Sequence, residues 1–217
     1  MKYIFTEKQF AALLAVNNTG TLYSFELPCD IDDIELIEAI HTLYQRKWIC
    51  EKNGHFSLCP ALEEMIGTMK AAEQIARIQL SVPWVPQRLI YPGNEREAVI
   101  LECCRSLIEN SVKLQRGCLD SLLLDILENE LAAFSFTGLD AAEEESCLAD
   151  TWQGGTQIFQ LERIGTAGQK PESHLSVWSN PFLCWIDFNS GKDDKHFLYS
   201  EARFSRLFWE IMGGKES

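Results

Sequence analysis

Apolar and polar positions along this chain fall into a rhythm that occurs twice. Between residues 76 and 130, four runs with strand-like spacing (76–80, 87–91, 97–102 and 111–114) lead into an amphipathic helix at 118–130. Between 156 and 212 the order returns, with runs at 157–161, 174–178, 182–188 and 196–199 followed by a helix at 202–212. Each closing helix carries an apolar stripe: Leu119, Leu122, Leu123, Ile126 and Leu127 in the first, Phe204, Leu207, Phe208 and Ile211 in the second. A helix with such a stripe has to lay it on a sheet face. The expectation is an α+β fold with helices on one side of antiparallel strands, built from two sheet-and-helix halves related by a pseudo-twofold axis.

The first 75 residues follow a different order. Thr6 and Gln9 have the spacing of a capping box, and Phe10, Leu13 and Leu14 form the apolar side of the helix it starts. Asn17-Asn18-Thr19-Gly20 ends that helix, and 21–27 alternates as a strand that stops at Pro28. Acidic residues from Asp30 to Asp33 suit the positive end of a second helix, in which Ile34, Ile37, Ile40, Leu43 and Tyr44 recur at helical spacing. Asn53-Gly54 predicts a tight hairpin between 48–51 and 55–59, because both positions tolerate positive φ. Pro60 then opens a helix carrying Leu62, Ile66, Met69 and Ala72. Helix, strand, helix, hairpin, helix is a winged-helix-like order with the hairpin as the wing. The chain thus divides into a winged-helix-like segment at 1–75, a first sheet-helix half at 76–138 and a second at 139–217, with 76–217 forming one structural unit. Two prolines around Trp84 mark 81–86 as a linker, and the acidic stretch 140–150 joins the halves.

Composition narrows the classes of function. With 46% hydrophobic and 11% aromatic residues the chain reads as an ordered globular protein. Its net charge of −13 repels phosphates and anionic lipid, which disfavours nucleic acid as a partner. The eight cysteines lack the regular spacing of a secreted disulfide scaffold, so a reducing cytoplasm is expected. No export signal and no membrane-spanning segment are read from the sequence.

Candidate chemistry is sparse, and no enzyme is expected. His41, Cys50, His55 and Cys59 are all zinc-ligand types within nineteen residues, but their spacing is not that of a zinc finger, and packing is the favoured reading. Cys103 and Cys104 are neighbours in a strand and point to opposite faces. A Gly-x-Ser-x-Gly elbow, a phosphate-binding loop, a complete dinucleotide fingerprint and a calcium loop are each missing essential residues. No cofactor and no metal are expected. His174, Asp187 and His196 are the polar groups an enzyme would have to bring together in a pocket. Trp84, Tyr91, Trp178 and Trp209 are candidate partner contacts, since aromatics anchor protein interfaces when exposed and belong to the core when not. Of these, Trp84 between its prolines is expected to be exposed.

The layout resembles a known family, the EspG-type chaperones of type VII (ESX) secretion. Locally, Leu43-Tyr44-Gln45-Arg46-Lys47-Trp48, then Gly54-His55-Phe56, then Leu62-Glu63-Glu64-Met65-Ile66 are similar to the family's helix, hairpin and helix near the N-terminus. Trp185-Ile186-Asp187, Gly191 and His196-Phe197-Leu198-Tyr199 look like its strand, turn and strand before the last helix. The chain departs from the family in its many cysteines and in a short 91–97 connection where a longer partner-binding loop is expected. The resemblance implies a cytoplasmic, non-enzymatic protein that binds a small helical secreted protein and shields it until delivery. A winged-helix transcriptional regulator with a sensor domain, or an enzyme of another kind, are the alternative readings.

Overall fold

The structure is a computed structural model that describes residues 1–19, 22, 31–82, 85–94, 96–104, 110–132, 154–165, 171–181, 183–191 and 194–213. Its elements are, in chain order, β1 (Lys2–Thr6), α1 (Glu7–Val16), α2 (Asp33–Gln45), β2 (Ile49–Lys52), β3 (His55–Leu58), α3 (Pro60–Ala71), β4 (Gln74–Leu80), β5 (Arg88–Pro92), β6 (Glu97–Cys104), β7 (Ser111–Cys118), α4 (Leu119–Asp125), β8 (Thr156–Gly165), β9 (Pro171–Ser179), β10 (Cys184–Asn189), β11 (Asp194–Leu198) and α5 (Glu201–Met212). A π-helical turn, Ile126–Glu130, extends α4. The fold is α+β.

Nine strands form one antiparallel sheet in the order β1-β7-β6-β5-β4-β8-β9-β10-β11, and β2 pairs with β3 in a separate hairpin. The order is palindromic about β4 and β8. Outward from that pair, each half runs through its own strands in sequence and then gives a helix, α4 on one side and α5 on the other. Strand β1 was not legible in the sequence, yet it pairs with β7 and extends the sheet at the first half's edge. The 1–75 segment is therefore stitched into the sheet, and the expected boundary at 75/76 falls inside β4. The 138/139 boundary, the 140–150 stretch and, apart from Leu22, the strand expected at 21–27 lie outside the described residues.

Local chemistry explains where the elements start and stop. The capping box forms as the spacing requires: Thr6 Oγ1 accepts from the Gln9 amide at 3.1 Å, and Gln9 Oε1 accepts from the Thr6 amide at 3.1 Å. Asp32 caps α2 by accepting from the Glu35 amide at 2.8 Å, and Ser200 caps α5 by accepting from the Arg203 amide at 3.2 Å. Asn53 (φ 56°) and Gly54 (φ 77°) occupy the left-handed region that the two-residue hairpin turn demands.

Period-two alternation divides the sheet's buried side chains between two separate cores. On one face, Ala76, Ile78, Ile90, Ile100, Phe159, Leu161, Leu175, Val177 and Ile186 pack under α4 and α5, whose Leu119, Leu122, Ile126, Phe204, Leu207 and Phe208 cover them. On the other face, Tyr3, Phe5, Ile75, Leu89, Tyr91, Val99, Leu101 and Leu114 meet Phe10, Leu13, Leu43, Leu62, Ile66 and Met69 from α1, α2 and α3. Helices thus cover both faces of the first half, where one covered side was expected. The physical reason is that β4 to β6 carry apolar residues toward both layers, which alternation read run by run does not reveal.

The π-helical turn closes with the Leu131 amide donating to the Ile126 carbonyl at 2.9 Å. It delivers Glu130 to Arg88, which pairs with Glu130 and lies 3.3 Å from Glu102 and 3.6 Å from Asp125. Lys113 completes the cluster by pairing with Glu102.

Two expectations about stability follow from this packing. Phe204 is fully buried and meets Phe159 edge to face at 5.4 Å, so Phe204→Ala should cost about 3–5 kcal/mol, read from urea unfolding. Burial raises the Glu130 pKa against the opposing pull of Arg88, and Glu130 Oε2 has no hydrogen-bond partner. Between the ordinary carboxylate value of about 4.3 and the raised native value, the folded chain holds this proton more tightly than the unfolded chain. The contribution is full below that interval and is lost as pH rises through it. Glu130→Gln should flatten that part of the stability profile, as urea midpoints from about pH 4 to about pH 7 would report.

Candidate interaction surface

Helix α2 is apolar around more of its circumference than one core can cover. Leu43 (0% exposed) and Ala39 (6%) are buried, with Leu36 and Ile40 packed beside them, against α1 and the hairpin. A second stripe lies roughly 120° around the helix, from the 100° step per residue. There Ile34 is 69% exposed, Ile37 66% and Tyr44 49%, and Phe56 of β3, 42% exposed, meets the Tyr44 ring edge to face at 6.3 Å. Single exposed apolar residues are ordinary, whereas four large ones in one helix-hairpin unit make this a candidate contact surface. The sequence did contain the signal. Ile34, Leu36, Ile37, Ala39, Ile40, Leu43 and Tyr44 within thirteen residues of helix are too broad for a single buried stripe.

Charge is graded along this surface. Asp33 and Glu38 are exposed near the start of α2, and Glu35 pairs with Lys8. Past its end come exposed Arg46, whose guanidinium lies 4.8 Å over the Trp48 ring, and exposed Lys47 and Lys52, which outnumber the one exposed acid there, Glu51 opposite Phe56.

The aromatic residues singled out in the sequence part company in the structure. Tyr91 is fully buried and Trp209 is 6% exposed, so both are core residues with no accessible face to offer a partner. Burial drives the Tyr91 phenol well above its ordinary pKa, and Trp209 lies under the Arg96 guanidinium at 4.9 Å. Trp178 is half-buried and stacks on Trp185 at 6.4 Å, with its indole Nε1 buried and without a hydrogen-bond partner. Trp84 lies outside the described residues.

Over β8 to β11, the face away from α4 and α5 is polar between Ile164 at one end and the stacked Trp178 and Trp185 at the other. Gln160, Ser176, Asp187 and His196 lie in one cross-strand row, and Glu162, His174 and Asn189 in the next. Asp187 and His196 meet at 2.7 Å through Oδ1 and Nδ1, while His174 sits one row away. The carboxylate fixes the imidazole ring and clasps the edge strand β11 to β10. Arg77 of β4 pairs with Glu162 at the border between this polar face and the N-terminal core.

Three of the four zinc-type residues near the hairpin face different partners, and the fourth, His55, is exposed opposite Lys52 on the hairpin. His41 is 3.5 Å from Gln45, Cys50 is 3.2 Å from Ser57 Oγ, and Cys59 is 3.9 Å from the Tyr3 hydroxyl, whose pKa is pushed up to about 12, chiefly by burial. Among the described residues, no group of three or more His, Cys, Asp and Glu side chains is placed to hold a metal ion. Nor is any helix among them long and apolar enough to cross a membrane. No protein-family model and no curated protein matches the chain.

Thiol reactivity tests this placement. Cys50 and Cys118 are exposed, whereas Cys184 is buried and its pKa is pushed up to about 12 by that burial. Alkylation of the native protein, mapped by peptide mass spectrometry, should label Cys50 and Cys118 and reach Cys184 only after unfolding.

Proposed function

We propose that the protein is a non-enzymatic protein-binding module, a carrier for a helical secretion substrate of the kind the EspG-type resemblance implies. The observation that carries this reading is the exposed stripe of Ile34, Ile37 and Tyr44 with Phe56 beside it. A helix that already packs one side into its own core and presents a second apolar side is suited to receive another helix, by the same ridge-and-groove packing that joins helices within a domain. The palindromic strand order supports the same reading, since it is the two-half arrangement the resemblance calls for. A formal charge of −13 suits a carrier that must keep an apolar client soluble. Cysteines held as thiols, such as exposed Cys50 and Cys118 and buried Cys184, fit a reducing compartment, the cytoplasm.

Affinity capture from a native extract, run in parallel with the wild type and an Ile34→Glu/Ile37→Glu variant, tests the proposal. The wild type should recover a small helical protein, and the variant at least about tenfold less of it. Equal recovery by both, or recovery of a small molecule alone, would show the reading to be wrong.

A further inference from the structure

The stripe on α2 has a property that a generic sticky patch lacks: it complements itself. Its apolar residues Ile34, Ile37 and Tyr44 run along one line with His41 between them, and the line is flanked by acid at its start and base at its end. A closed pair of identical chains needs a surface on which each residue meets its complement after a twofold rotation. Antiparallel packing of α2 on α2 about an axis between Ile37 and His41 meets that condition. Ile34 of each copy then lies against Tyr44 of the other, Ile37 against His41, and Asp33 beside Lys47 of the second copy. Among the described residues neither Asp33 nor Lys47 has an ion-pair partner within its own chain. The two helix dipoles also run in opposite directions, so the positive start of each helix faces the negative end of the other.

We infer that a second copy of this chain covers the α2 stripe, forming an antiparallel α2–α2 dimer that hides the apolar surface until a client displaces it. The dimer stands on the charge grading and exposure of α2. Its competition with a client rests on the protein-binding reading above. A helix of thirteen residues is about 20 Å long, so the contact falls at the small end of specific interfaces, and the dimer dissociates in the micromolar range, at about 10 µM. Such an affinity keeps the stripe covered at high concentration and lets a tighter client in.

Sedimentation velocity from about 1 to about 300 µM tests this, with the wild type expected to shift from monomer to dimer across the range. Ile34→Glu/Ile37→Glu should remain monomeric throughout, with an unchanged thermal melt because both positions are exposed. Asp33→Lys alone and Lys47→Glu alone should each lose the dimer by placing like charges together, and an equimolar mixture of the two should regain it. The mixture separates the antiparallel register from simple stickiness and cancels any cost of either substitution to its own fold. A wild type that stays monomeric, a dimer that survives Ile34→Glu/Ile37→Glu, or a mixture that fails to associate would each overturn the inference. A monomeric wild type that still captures a client through the stripe leaves the protein-binding reading intact. A dimer that forms while no client is captured sinks that reading and leaves this one.

Discussion

The seven-residue antiparallel ladder between β4 and β8 is the constraint on which the rest of the structure depends. It joins the first strand of one half to the first strand of the other. Each half can then grow only outward, which makes the strand order palindromic. The ladder carries an apolar pair on each face. Ile78 and Leu161 pair toward α4 and α5, while Ile75 and Ile164 pair toward the N-terminal core, so both layers of the molecule meet at this seam. Burying aliphatic side chains of this size contributes about 1.5–3 kcal/mol each, and four of them on one ladder outweigh the single ion pair, Arg77 with Glu162, that interrupts it.

Strands that carry apolar residues toward both layers have to be covered twice, and this accounts for the placement of the first 75 residues. The N-terminal helices and hairpin are drawn onto β4 to β7, and β1 is annexed beside β7. The second half has no such need, because its outer face carries Gln160, Glu162, Ser176 and Asp187. This asymmetry between otherwise parallel halves leaves α2 with one stripe buried and another in solvent. Tethers between parts are polar or aromatic. Arg88 holds the π-helical end of α4 to the sheet, Arg116 ties α3 to β6 through Glu64 and Glu97, and Arg96 reaches from the β5–β6 turn to Trp209 on α5. The Arg116 guanidinium is held more firmly protonated by these carboxylates, Glu97 foremost.

Much of the fold was legible because the periods of strand and helix are local properties. The eight strand runs of the two halves each correspond to an observed strand, and both closing helices form where their stripes recur. Boundaries were less legible where charge enters a strand. Strand β8 runs on to Gly165 because Glu162 and Arg163 find partners in Arg77 and Glu172, which lie far along the chain or on another strand. Strand β1 was hidden for a related reason: Tyr3 and Phe5 alternate over too few residues to register, and it is β7 that makes a strand of them.

The candidate surface shows the same division. Apolar residues all round α2 can be counted in the sequence, but which stripe turns inward depends on α1 and the hairpin, so Ile34 and Ile37 became surface while Leu43 became core. Tyr91 and Trp209 illustrate the converse, since an aromatic at a strand end or on a last helix has no burial of its own until a neighbour closes over it. By itself the sequence determined the elements, their repeated order and the caps that begin the helices, because these rest on interactions within a few residues. Only the tertiary structure decided which face meets which, that β4 and β8 form the seam and that α2 keeps an uncovered side, because burial is a property of surfaces brought together from distant parts of the chain.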